Sequence, residues 1–257
     1  VGGPEGTMED VIAGGMAASG APGLAYAVVD DGHIPTADAR GVVKAASEEE
    51  VTSDTPFVIG SISKSFTALA VMQLVEAGEI DLDGGVSQYL DEFSGQPASD
   101  VTIRQLLSHT SGFSTLQGNA SHSDATGGKD ELARLVDGLA EVKPAYEPDE
   151  RWEYSNTNYQ VLGRLIEVVS GQDYQSYVAA AILEPVGMDD SFVADGEACP
   201  SMATGHRPWF GTKRPLLDKS TDRATAPQGG VNASAIDVAR FLVLMLNGVD
   251  VVLCADG

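Results

Sequence analysis

Phe57-Val58-Ile59-Gly60-Ser61-Ile62-Ser63-Lys64-Ser65-Phe66-Thr67 opens as a short apolar run and turns at Gly60. It then enters a long apolar segment, Phe66 to Ala77, that stops at Gly78. That order reads as strand or loop, tight turn, then a buried helix ended by Gly78. Ser61 falls in the first turn of this helix, where unpaired N–H groups and the positive end of the helix dipole favour a developing alkoxide. Lys64, three residues on, lies on the same helical face. An amine beside a hydroxyl is the minimum for a nucleophile and its base, provided burial leaves some of the lysine neutral. The tetrapeptide Ser61-Ile62-Ser63-Lys64 alone fits an N-cap serine and an exposed lysine better than a catalytic pair. Its setting shifts the balance. The flanks are apolar and the helix has almost no polar face, so a lysine inside it needs a reason. Of the six lysines, only Lys64 has a serine three positions before it.

The bulk composition narrows the function classes. A chain of 257 residues can bury a large core as one domain or two packed lobes. No uninterrupted apolar stretch reaches the roughly 18 residues of a membrane span; the run Phe241 to Leu246 is too short. The chain starts at Val1 without a signal-peptide pattern, so either a leader has been removed or the sequence is a fragment. Acidic residues number 38 against 15 basic, a formal charge of −23, which argues against nucleic acid and anionic membranes as partners. Lysine is scarce and aspartate exceeds glutamate, 22 to 16. A hypothesis follows that the acidic surface suits a halophilic setting, where salt screens self-repulsion; unchanged solubility and stability between low and molar salt would remove it. Cys199 and Cys254 fit no zinc or redox spacing. No metal-ligand cluster is visible, and no cofactor is expected.

Along the chain, residues 7–18 read as a short amphipathic helix capped by Thr7. Leu24 to Val29 reads as a strand, Asp30-Asp31-Gly32 as a turn, and residues 33–43 as holding a second, weaker strand. Residues 44–56 form an acidic loop. Thr102-x-x-Gln105 is a capping box that opens a brief helix through Leu107. Residues 114–128 are small and polar, the composition of a mobile surface loop. Helices are expected over 130–140, 157–170 and 173–183, the last stopping before Pro185. Residues 195–230 show little periodicity. Ser234-x-x-Asp237 caps a final helix running to about Leu246.

Tyr154-Ser155-Asn156 is the only Tyr-x-Asn in the chain, 93 residues beyond Ser61. On its own it fits an aromatic packed at a helix start, with Asn156 as cap. Together with Ser61-x-x-Lys64 it resembles the serine β-lactamase and penicillin-binding-protein superfamily, and the Tyr-x-Asn form resembles the class C β-lactamase and D,D-peptidase branch. Further segments fit in family order: Leu106-Leu-Ser-His-Thr-Ser-Gly112, Tyr159-x-x-Leu162-Gly163, Gly187-Met188, Pro227-x-Gly-Gly230 and Asp237-x-Ala-Arg240. The resemblance implies an α+β fold, an antiparallel sheet with flanking helices plus a mostly helical lobe. Residues 1–60 and about 231–257 would form the α/β lobe, and about 61–230 the helical lobe and loops. It implies acyl transfer with Ser61 as nucleophile and Lys64 and Tyr154 sharing the general-base role. Asn156 and Gly60 are expected on the substrate side, and the Ser61 N–H in half of the oxyanion hole. The partner is then a small-molecule or peptide substrate, with no nucleic acid and no membrane span. An extracytoplasmic or secreted location is favoured by the resemblance alone.

The family's third motif, Lys/His-x-Gly, belongs on a strand beyond the Asp237-x-Ala-Arg240 helix. The chain reaches Gly257 without it, and Lys213-Arg214-Pro215 precedes that helix. The expectation is therefore a C-terminally truncated or naturally shortened member, weakly active at best. A non-catalytic binding or assembly role is the rival from another class. An α/β-hydrolase is disfavoured because no Gly-x-Ser-x-Gly occurs. His109 can be read as an acid-base group or as structural packing, with packing preferred. His206 reads as a surface residue in a loop with Trp209 and Phe210, which could contact substrate. His33 and His122 show no partner by spacing.

Overall fold

A computed structural model describes residues 7–120, 128–196, 201–209, 212–216 and 222–248. Helix α1 (Met8–Ser19) starts from a capping box, in which the Thr7 hydroxyl accepts from Asp10 N–H and the Asp10 carboxylate accepts from Thr7 N–H. Strands β1 (Gly23–Asp30) and β2 (His33–Gly41) form an antiparallel hairpin. The short strand β3 (Phe57–Val58) leads through a 3-10 turn (Gly60–Ile62) into α2 (Ser63–Glu76). Ser61 thus sits in the 3-10 turn, two residues before the α-helix begins, and not in the first turn of the α-helix itself as expected above. Gly78 ends the segment in the left-handed conformation, φ +76°, which a glycine adopts without penalty.

The middle of the chain is helical. Helix α3 (Ile103–Leu107) opens on the Thr102–Gln105 capping box. Helix α4 (Thr115–Ala120) occupies part of the segment expected to be loop. The remaining 121–127, with His122, lie outside the described residues. Helices α5 (Glu131–Ala140) and α6 (Asn156–Ser170) follow, the latter ended by left-handed Gly171. Helix α7 (Tyr174–Val178) runs through a π-helical turn (Ala179–Leu183) into α8 (Glu184–Val186). Pro185 therefore sits inside the last segment and does not stop the one before it, because its missing N–H falls in the first turn of α8.

Residues 195–230 carry more structure than their aperiodic sequence suggests. After β4 (Phe192–Val193) come β5 (His206–Trp209) and β6 (Thr212–Pro215), an antiparallel pair, then α9 (Ala226–Gly229). Strand β7 (Val231–Ala233) lies between β3 and β4, antiparallel to both, and α10 (Ala235–Asn247) follows at once. Cys199 and Cys254 lie outside the described residues.

The core forms where α2, α6 and α9 meet, with α6 also touching α3, α4, α5 and α7. Phe66, Leu69, Ala70, Val71, Leu162 and Ile166 are among its buried side chains. Phe66 stacks on Phe241 of α10 with ring centroids 4.1 Å apart, and burying a ring of this kind contributes about 1.5–3 kcal/mol. Two of the segments singled out in sequence meet at the α10 start. The fully buried Asp237 carboxylate accepts from Asp190 N–H and Ser191 Oγ and pairs with Arg240, which also donates to Gly187 O. Among the described residues no helix is long and apolar enough to cross a membrane.

Candidate active site

Four side chains drawn from two distant stretches converge at the α2 entrance. The exposed Ser61 Oγ lies 2.7 Å from Tyr154 OH. Lys64 Nζ reaches Ser61 Oγ at 3.5 Å, Asn156 Oδ1 at 2.9 Å and the Gln228 carbonyl at 2.7 Å. An ammonium has three hydrogens, and these three acceptors match them. Lys64 is 7% exposed. Burial draws its pKa below the ordinary lysine value, and the neighbouring Tyr154 hydroxyl works against that shift. Nζ also lies 4.9 Å from the Tyr154 ring centroid and 5.5 Å from that of Tyr159, an added cation–π contact.

Local chain geometry explains the convergence. Gly60 takes φ +54°, which bends the chain from β3 into the 3-10 turn and leaves Ser61 outward. Residues 153–155 lie outside any helix or strand, Ser155 has extended backbone, and their groups are tied on several sides. Thr115 Oγ1 donates to Tyr154 O, Thr115 N–H donates to the Glu153 carboxylate, and Ser155 Oγ donates to Ser114 O. Asn156 begins α6 directly after them. The structure thus brings residues 60, 61, 64, 154 and 156 together. His206 is on β5, not in a loop, and its Nε2 accepts from Ala45 N–H at 3.0 Å, 161 residues away in sequence. The side chains of Trp209 and Phe210 lie outside the described residues.

Sequence reasoning assigned no partner to the segment Pro227–Gly230, which proves central. Thr67 Oγ1 donates to Pro227 O at 2.6 Å and lies 2.7 Å from Tyr174 OH. With the threonine hydrogen committed to the carbonyl, the tyrosine is the donor in the second bond. Tyr174 is fully buried, which pushes its phenol pKa up, so it stays a donor. Ser63 Oγ accepts from Val231 N–H at 2.9 Å. These bonds fix the peptide whose oxygen, at Gln228, receives Lys64. Close packing adds to them: a Cβ built on Gly163 of α6 would stand 2.2 Å from Pro227 Cγ, so only glycine lets the two segments approach this far. The Tyr159-x-x-Leu162-Gly163 and Pro227-x-Gly-Gly230 patterns were the available signal, since each holds a glycine that needs a physical reason.

Comparisons with known proteins give the family and the fold. The Beta-lactamase family model matches residues 8–253, and the chain belongs to that family. It is 37% identical over 236 residues to penicillin-binding protein 4 of Amycolatopsis lactamdurans, covering 88% of this chain and 60% of that protein. It is 33% identical over 181 residues to esterase EstB of Burkholderia gladioli, covering 65% of this chain and 46% of that protein. The fold matches the D-alanine carboxypeptidase AmpC of Burkholderia cenocepacia with a TM-score of 0.75 at 29% identity, over 90% of this chain and 61% of that one. The chain thus matches between 46% and 61% of the length of these relatives.

Proposed function

We propose that this chain is a serine hydrolase that forms an acyl-enzyme on an ester, amide or β-lactam carbonyl. The observation that carries the reading is the 2.7 Å contact between Ser61 Oγ and Tyr154 OH, with Lys64 Nζ in reach of the same serine. In the proposed sequence Ser61 Oγ bonds to the carbonyl carbon and its proton passes to the Tyr154–Lys64 pair. Negative charge collects on the carbonyl oxygen, where the Ser61 N–H is one donor. Collapse of the adduct breaks the bond to the leaving group, which takes the proton, and leaves the acyl group on Ser61. Water then repeats the attack, assisted by the same pair, and frees the serine.

The relatives include a penicillin-binding protein, an esterase and a carboxypeptidase by name, and one acyl-transfer machinery serves all three substrate types. The same reading divides the chain into a lobe of residues 1–60 and 231–257 and a lobe of 61–230, with Ser61 at their seam and Asn156 and Gly60 facing the substrate. The test is hydrolysis of a p-nitrophenyl ester, a chromogenic cephalosporin and a D-alanyl-D-alanine peptide by the parent and by Ser61→Ala. Turnover of at least one substrate by the parent, lost in the variant, is expected. Equal turnover by both contradicts the assignment, and an inert parent favours a binding role.

A further inference from the structure

His109 is held more elaborately than packing requires. Its backbone is left-handed, φ +62°, an uncommon conformation outside glycine in which Asn, Asp and His are over-represented. The bend turns both its carbonyl and its ring toward residues 153–155. His109 O accepts from Glu153 N–H at 3.0 Å and His109 Nδ1 accepts from Ser155 N–H at 3.2 Å. The N–H groups of the Trp152–Glu153 and Tyr154–Ser155 peptides, which bracket this stretch, are therefore bound to one residue. The imidazole also lies against the Tyr154 ring, with centroids 4.8 Å apart, and is bounded by Tyr159 at 5.3 Å and Trp152 at 6.0 Å.

A chain of donors fixes the tautomer. Ser111 Oγ accepts from Phe113 N–H and donates to Asn158 Oδ1 at 2.7 Å. The Asn158 amide nitrogen consequently faces His109 Nδ1, at 3.2 Å. With two N–H groups aimed at Nδ1, that nitrogen must be bare and the proton must reside on Nε2. The titratable groups that face the ring are Lys64, Tyr154 and Tyr159. Burial, and then the Lys64 charge, push the imidazole pKa down to about 4. A charged ring would lose its acceptor and place a second cation beside Lys64.

We infer that His109 is a positioning residue that holds the Tyr154 phenol against Ser61, by clamping the Trp152–Glu153 and Tyr154–Ser155 peptides and packing its neutral ring on the phenol. The inference rests on the acyl-transfer reading above. It touches no reacting atom and acts through Tyr154, so its cost should exist only while Tyr154 is present.

The experiment is a double-mutant cycle on the second-order rate of labelling by a fluorophosphonate probe, using His109→Asn, His109→Phe and Tyr154→Phe. Asn tolerates the left-handed backbone and puts an oxygen near the Nδ1 position, so His109→Asn should stay within about tenfold of the parent. His109→Phe keeps the ring and removes the acceptor, and should slow labelling about 10²-fold. In the Tyr154→Phe background the same change should cost less than about threefold, since residues acting as one unit are not additive. A full 10²-fold cost in both backgrounds would mean a merely structural role and overturn the inference. Nitrogen-15 shifts of the parent imidazole give a reading independent of activity. A neutral Nε2–H ring at pH 6 supports the clamp, and a charged or Nδ1–H ring removes it. If Tyr154→Phe labels as fast as the parent, the acyl-transfer role of Tyr154 fails, and the imidazole spectrum alone then decides whether the clamp exists.

Discussion

Helix α2 and the β1–β2 hairpin with α1 stand close in the chain and are built on different terms. Helix α2 buries eight of its 14 residues, including Ser63, Lys64 and Thr67. Each of those three polar side chains has a partner on the segment from Pro227 to Val231. Helix α1 has no buried residue and exposes Met8 and Val11, and no residue of β1 or β2 is fully buried. The two regions differ in how many independent contacts determine each backbone position. Around α2 the Pro227–Gly230 segment is held by hydrogen bonds, by packing on Gly163 and by the core, so a side chain there has little choice of place. Catalytic groups need that kind of support to hold a geometry. The hairpin is held by its own ladder and by α10, which packs on both strands without burying any of their residues fully.

The sharpest way to break the comparison is at Ser61. Ser61→Ala should lower turnover by about 10⁴-fold or more while thermal unfolding stays within a few degrees of the parent, because the side chain is exposed. A large drop in stability would show that the serine is structural. Next come Lys64→Ala and Tyr154→Phe, each expected to cost about 10²–10⁴-fold, with the double variant hardly worse than either alone. Losses that multiply would separate the two residues and end the shared proton path.

Two glycine substitutions sharpen the contrast in stability, with opposite signs. Gly163→Ala drives a methyl into Pro227 and should destabilise by about 1–3 kcal/mol. Gly14→Ala, within α1 and with nothing within 4 Å of the new Cβ, should stabilise by about 0.5–1 kcal/mol. Denaturant midpoints measure both, and equal effects would deny that the regions differ. A further effect concerns acid. The folded His109 pKa of about 4 lies below its ordinary 6.5, so between those values the unfolded chain binds a proton that the folded chain refuses. Stability should therefore fall as pH drops from about 6.5 to about 4, by at most about 1.4 kcal/mol per pH unit. His109→Asn should flatten that slope, and an unchanged slope would place the acid sensitivity elsewhere.

Ser61, Lys64, Tyr154 and Asn156 were legible in the sequence because their chemistry resides in side chains of distinctive type and spacing. The Gln228 carbonyl was not, since every residue carries one and only the fold selects which is used. Thr67 and Tyr174 are 107 residues apart, and nothing local in either stretch announces the other. His109 was read as packing because its segment resembles a structural element of the family; the clamp depends on a left-handed backbone that its sequence does not require. The cap at Thr7 and the capping box at Thr102 were readable because their hydrogen bonds close within four residues. The β5–β6 pair was missed because His206-Arg207-Pro208-Trp209 and Thr212-Lys213-Arg214-Pro215 each hold a proline and lack apolar alternation.

The central claim is that Ser61 is a nucleophile activated by the Lys64–Tyr154 pair. It is tested most directly by treating the parent chain with a fluorophosphonate, measuring the intact mass and mapping the modified peptide. One adduct per chain, located on Ser61 and absent from both Ser61→Ala and the Lys64→Ala, Tyr154→Phe double variant over the same time, is the expected result. An adduct on another residue, or labelling of Ser61 at an unchanged rate in the double variant, would contradict it.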